Sequence, residues 1–211
     1  MSQKEIFDID CRQCPRLASF LDELNVKYPD YHNRPVAPFG DKKARLLIVG
    51  LAPGMHGANA TGRPFTGDHA GILLYETLFK YGFSNQGTSV SKNDRLKLKN
   101  CRITNAVKCL PPQNKPVGSE VATCNAFLSA ELKTLKPGSV ILALGTLAHN
   151  AVLRALGEKL SAYKFGHEAQ HKINELILLD SYHCSRYNTQ TRRLTEPMFH
   201  SVFKKAKALL A

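Results

Sequence analysis

RLLIVGLAPGMHGANATGRPFTGDHAGILLYETLFKY, residues 45–81, decides the fold. Its opening run, Arg45–Gly50, is apolar without alternation, as expected of a strand covered on both faces. A glycine-rich loop follows, and from Gly71 to Tyr81 apolar residues recur at helical spacing. Strand, loop and helix make the first half of a βαβ unit. The pattern repeats along the chain. Arg102–Val107, Ser139–Gly145 and Leu176–Ser181 read as three more buried strands. Ser119–Leu135, with Ser119 as its cap, Thr146–Leu156 and the basic amphipathic Glu196–Leu210 read as helices. The expected architecture is a three-layer α/β/α domain over residues 1–211, with a central, mainly parallel four-stranded sheet. Residues 1–44 are expected to form an N-terminal strap around its core.

Composition narrows the function. The 211 residues are 43% hydrophobic and 22% charged, which excludes a disordered or collagen-like chain. A chain of this length buries on the order of 70% of its unfolded surface. No apolar run approaches the roughly 20 residues of a membrane span, and MSQKEIFDID has no signal-peptide core. The expectation is a cytoplasmic protein with no membrane partner. The net charge is +12, of which residues 51–211 carry +11. Ser91–Arg102 is the densest basic patch. Arg186–Arg193 mixes Arg186, Arg192 and Arg193 with Asn, Thr and Gln, side chains that donate to phosphate oxygens. A polyanion is the expected partner.

In open parallel sheets, ligands bind beyond the carboxyl ends of the strands. The loops there are GLAPGMHGANATGRPFTGD, KCLPPQNKP and YHCSRYNTQTRRLT. They hold most of the unusual residues of the chain. Cys11 and Cys14 form a C-x-x-C pair, while Cys109 leaves the second strand and Cys124 lies in the helix after it. A βα turn brings such residues together, and four thiolates hold either zinc or an iron–sulfur cluster. Spacing alone leaves that choice open.

GLAPG with TGRPFTGD, then NAVKCLPPQNKP, then YHxS with NTQT and RLT, resembles the type B (family 5) uracil-DNA glycosylases of bacteria and archaea. The likeness runs from Cys11 to about Phe199. It implies an α/β/α fold and a structural [4Fe–4S] cluster on Cys11, Cys14, Cys109 and Cys124. It also implies a monofunctional enzyme of base excision repair. That enzyme excises uracil, and often hypoxanthine and xanthine, from DNA and leaves an abasic site. The implied setting is a prokaryotic nucleoid, and one lesion needs only a monomer. This chain departs from the family pattern at Cys184, where the family has Pro, and at Arg192, where it often has Gly.

The reaction assigns expected roles. Loss of the base leaves an oxocarbenium-like sugar and an anionic base, and the base must first leave the helix stack. Asp68, the one acid in these loops, is expected to orient water and stabilise the cation, and also to cap the following helix. His183 is expected to donate to the departing base oxygen. Phe65 offers a stacking face, and Asn105 a donor and acceptor for the base edge. The backbone of Gly50, Leu51 and Ala52 adds hydrogen bonds. Ser185, Arg186, Asn188 and Thr189 are expected on the flanking phosphates, with Tyr187 as a wedge in the vacated stack. The competing reading is a non-catalytic, metal-stabilised nucleic-acid-binding module. It needs the basic loops and the cysteines but not Asp68, Phe65 or His183.

Overall fold

The computed structural model describes residues 6–211; the first five residues of the expected strap lie outside it. Four parallel strands form the centre: β2 (Leu46–Gly50), β3 (Cys101–Asn105), β4 (Val140–Leu144) and β6 (Leu176–Ser181). Two strands not expected from the sequence extend the edges. β1 (Phe39–Gly40) pairs antiparallel with β3, and β5 (Gln170–Ile173) antiparallel with β6. The order is β1-β3-β2-β4-β6-β5.

The lack of alternation in β2 and β4 has its expected cause, since every residue of both strands is buried. Odd and even positions of a strand face opposite sides. Leu46 and Ile48 pack with Leu74 and Leu78 of α3 (His69–Lys80) and with Phe199 and Phe203 of α7 (Glu196–Leu209). Leu47 and Val49 pack with Val121 and Leu128 of α4 (Gly118–Leu132) and with Val152 of α5 (Thr146–Ala155). That is the three-layer sandwich. The strap supplies α1 (Pro15–Lys27), whose Leu17 joins the second face while Leu21 and Leu24 cover Leu110. Two short helices, α2 (Ala58–Thr61) and α6 (Arg186–Gln190), lie in the loops after β2 and β6.

Chain order creates a crevice. β2 connects to β3 on one side, whereas β4 lies on the other side of β2 and leads to β6. The strand order thus reverses at β2, and the loops leaving its carboxyl end part there, which is where such sheets bind ligands. Ser119 does not cap α4. The helix begins one residue earlier, and Glu120 accepts the Val117 amide at 2.8 Å in its place.

Candidate active site

The loops after β2, β3 and β6 close around a cavity of about 310 Å³. Of the expected residues, Leu51, Ala52, Phe65, Asp68, Asn105, His183, Ser185 and Arg186 line it. A larger groove, about 870 Å³, runs along edge strand β1 past Phe39, Leu98 and Arg102. None of those eight residues reaches it.

Asp68 is the N-cap of α3, with Oδ1 accepting the Gly71 amide at 2.8 Å. Its Oδ2 lies toward Gly54 and Gly57. A Cβ on Gly57 would stand 2.7 Å from that oxygen, so the loop leaves Asp68 room only as glycine. Burial raises the carboxyl above its ordinary value; the Gly71 amide, His69 and the Ala70 amide oppose the rise. His183 opens to the cavity but is otherwise enclosed, and that burial pushes its imidazole down to about 4. At neutral pH the ring is therefore uncharged. It stacks on Phe65, with centroids 5.9 Å apart and planes at 28°.

Phe65 adopts φ 54°, a conformation that is a true outlier for a bulky residue. Strain of this kind persists where the surroundings over-determine it. Here the ring wedges over Gly50, where a Cβ would come within 2.7 Å of its Cζ and would also collide with Asn105 Oδ1. Gly50 is thus floor rather than wall. It lets Phe65 and Asn105 enter, but it does not line the cavity. Its carbonyl and that of Leu51 accept the amides of Ala106 and Val107 at 2.9 Å each.

The histidine loop divides its expected phosphate contacts. Arg186 is exposed, and Tyr187, outside the cavity lining, is 70% exposed. Asn188 turns inward, its Nδ2 donating to the His183 carbonyl at 2.8 Å. The Thr189 hydroxyl donates to the carbonyls of Ser185 and Arg186. These two brace the loop. Cys184 is fully buried against the core, its thiol pushed up by burial and by Asp68. Arg192 sits at φ 58°, the left-handed region that favours glycine.

Sequence reasoning missed six wall residues. Pro53, Gly54, Ala58, His69 and Ala70 lie in or just after the first loop, near residues already chosen, and Asn114 comes from the loop after β3. Asn114 has φ 57°, and asparagine tolerates that region better than most residues. An Asn beyond two prolines at a strand's carboxyl end was the available signal.

A second cluster lies behind the cavity. Cys11 and Cys14 before α1, Cys109 after β3 and Cys124 in α4 line one pocket. Burial first, and then the other three thiols, push Cys109 up to about 12; burial also raises Cys14 and Cys124. Among the described residues, no three of the sulfurs gather within 4.8 Å of one another. Arg16 clamps Glu120 with two bonds of 2.7 Å, tying α1 to α4 beside the pocket. Lys108 links pocket and cavity. Its amide donates to Cys124 Sγ at 3.3 Å, and its buried Nζ donates to Thr104 Oγ1 at 2.5 Å and to the Asn105 carbonyl at 2.9 Å.

Comparison with known proteins adds ancestry to this geometry. Residues 37–207 match the family described as Uracil DNA glycosylase superfamily. The chain is 44% identical over 205 residues to the type-5 uracil-DNA glycosylase of Thermus thermophilus, covering 94% of this chain and 93% of that protein. It is 42% identical over 204 residues to the type-5 enzyme of Pyrobaculum aerophilum, covering 95% and 89%. The type-4 uracil-DNA glycosylase of Sulfurisphaera tokodaii is 26% identical over 201 residues, covering 92% and 79%. No helix among the described residues is long and apolar enough to cross a membrane.

Proposed function

This chain belongs to the uracil DNA glycosylase superfamily, and on that footing we propose that it flips uracil out of DNA and hydrolyses its glycosidic bond in base excision repair. The observation that carries the reading is one cavity holding an acid, an uncharged imidazole and a flat aromatic face. The flipped base slides onto Phe65 and meets Asn105 with its edge. As the bond breaks, electrons move to the base, and the His183 N–H bonds the oxygen where charge collects. A neutral imidazole suits that task, because it stabilises the anion without surrendering a proton. Asp68 faces the sugar, where its carboxylate opposes the growing positive charge and holds the attacking water. The water adds to the anomeric carbon, its proton leaves through Asp68, and the base departs. Arg186 and Ser185 take flanking phosphates, and Tyr187 fills the gap in the stack.

Hypoxanthine and xanthine belong in the proposed substrate range. About 310 Å³ lies at the small end of ligand cavities, yet it exceeds what one pyrimidine ring fills. The first motif, GLAPG, puts only Leu51, Ala52, Pro53 and Gly54 on the cavity wall, and no acid or amide that would reject a purine. Duplex oligonucleotides bearing uracil, hypoxanthine or xanthine test this. Alkali-sensitive breaks at all three are expected, and a preference for uracil of several orders of magnitude would contradict the wider range.

For the thiol pocket we propose a [4Fe–4S] cluster held by Cys11, Cys14, Cys109 and Cys124. Four thiols converging on one pocket support a thiolate-held centre. When bound, the cluster is a structural staple. The residues around it fit that duty, since Glu120 and Arg16 already join the same two helices and Lys108 sets positive charge beside Cys124. Iron and sulfide stoichiometry measured on anaerobically purified protein tests it; full folding and activity after complete loss of iron would sink the structural role. A single chain working on the chromosome, in the cytoplasm of a prokaryote, completes the proposal.

A further inference from the structure

Asp180 of β6 is fully buried between two imidazoles. Its Oδ1 lies 2.8 Å from Nδ1 of His149 on α5, and its Oδ2 lies 3.6 Å from Nε2 of His171 on β5. The three ligand atoms are within 4.8 Å of one another. None of these residues lines the catalytic cavity or the thiol pocket.

Two details distinguish this group from an ordinary ion pair. First, Asp180 Oδ2 is buried without a hydrogen-bond partner, a costly state for a carboxylate oxygen. Second, His149 Nε2 lies 3.0 Å from the Tyr163 carbonyl, which can only accept, so Nε2 carries a proton. That leaves Nδ1 and a carboxylate oxygen face to face, and a cation must sit between them. A proton is one such cation and a metal ion is another. The bond from His149 Nε2 to a carbonyl is the outer bond that orients a metal-ligating histidine. His171 Nε2 lies 3.2 Å from the Lys164 carbonyl, so it carries a proton in the empty site and takes an ion only as the other tautomer, with the proton on Nδ1.

We propose that His149, His171 and Asp180 form a divalent transition-metal site, with zinc the best-fitting ion. Two imidazoles and a carboxylate are a set that zinc takes at about 2.0–2.2 Å, which puts neighbouring ligand atoms roughly 3.3 Å apart. Each imidazole faces its own oxygen of Asp180, at 2.8 and 3.6 Å, and all three ligand atoms lie within 4.8 Å, so the side chains close in on an ion from three sides. His171, 18% exposed, is the way in. A bound ion replaces the proton between His149 and Asp180 and fastens α5 and β5 to β6, three residues before His183.

The test uses the cluster-loaded protein, freed of loose metal and titrated with Zn²⁺ alone by calorimetry and with Co²⁺ by visible absorption. One equivalent is expected, with a cobalt spectrum free of thiolate charge transfer. At a hundredfold excess over Kd, melting should rise by about 5–10 °C. Asp180→Asn, whose amide nitrogen can donate to His149 Nδ1, and His171→Ala at the sheet edge should each abolish the equivalent. His171→Ala carries the test if Asp180→Asn does not fold. The proposal falls if the wild type takes up no ion at about 1 mM (binding weaker than about −4 kcal/mol), since a proton then suffices. Uptake that survives both substitutions, or a thiolate signature, also overturns it by putting the ion on the cysteines.

Discussion

Gly57 stands so close to Asp68 that a Cβ on the glycine would lie 2.7 Å from both the Cβ and Oδ2 of the acid. The first prediction is that Gly57→Ala displaces the carboxylate from the sugar without removing any reacting group. A shift of about 1 Å in such a group costs on the order of 10² in rate. Single-turnover excision of uracil should fall by about that factor. DNA affinity, measured by anisotropy on a non-cleavable duplex, should stay within about twofold.

Asp68 has two duties, and its substitutions separate them. Asp68→Asn keeps the cap on α3, since asparagine and aspartate cap comparably, whereas Asp68→Ala loses about 1 kcal/mol. We expect Asp68→Asn to melt within about 2 °C of wild type and Asp68→Ala several degrees lower. Both should lose about 10²–10³ in rate. Wild-type rates in either variant would remove Asp68 from the chemistry.

The pH profile follows from two shifts of known direction. Asp68 must be a carboxylate, and burial raises it above 3.8, so the acid limb of the rate rises with pH above the normal carboxylate range. His183 is neutral down to about 4. The rate should therefore show no inflection between pH 6 and 7, where free histidine titrates. Stability carries the opposite trace of the same shift. A histidine held below its unfolded value of 6.5 contributes above 6.5, and the contribution is lost as pH falls toward about 4. Urea midpoints should decline over that window in wild type and less so in His183→Gln.

Arg192 pays a conformational penalty at φ 58°, roughly 1 kcal/mol for a residue with a Cβ. Arg192→Gly should raise the melting temperature by about 2–4 °C. If Arg192 also meets a phosphate, the same change lowers the salt slope of DNA binding by about one unit. A melting temperature that falls would show that its side chain stabilises the loop more than its backbone strains it.

The central sheet was legible because its chemistry is extreme. Every residue of β2 and β4 is buried, and both strands are apolar throughout, which is the pattern that marks a covered strand. The edges were not. β1 is two residues ending in Gly40, and β5 is Gln-His-Lys-Ile, with three polar residues in four. Both exist because a neighbour offers hydrogen bonds, a long-range cause with no local pattern. The site divides the same way. Asp68 announced itself as the lone acid before a helix, and His183 as the residue after a strand. Asn188 looked like a phosphate contact, but the direction of its amide depends on where the His183 carbonyl points. The grouping of His149, His171 and Asp180 was invisible, because only folding brings residues so far apart in the chain to one place.

The two outer strands have a consequence for how the chain meets other chains. An exposed sheet edge is a template on which another chain can add a strand. Here one edge is too short to seed such growth, and the other presents Gln170 and Lys172 to solvent. A largely apolar sheet centre would be hazardous if it ended bluntly. Its flanks are instead poor templates for another chain's strand.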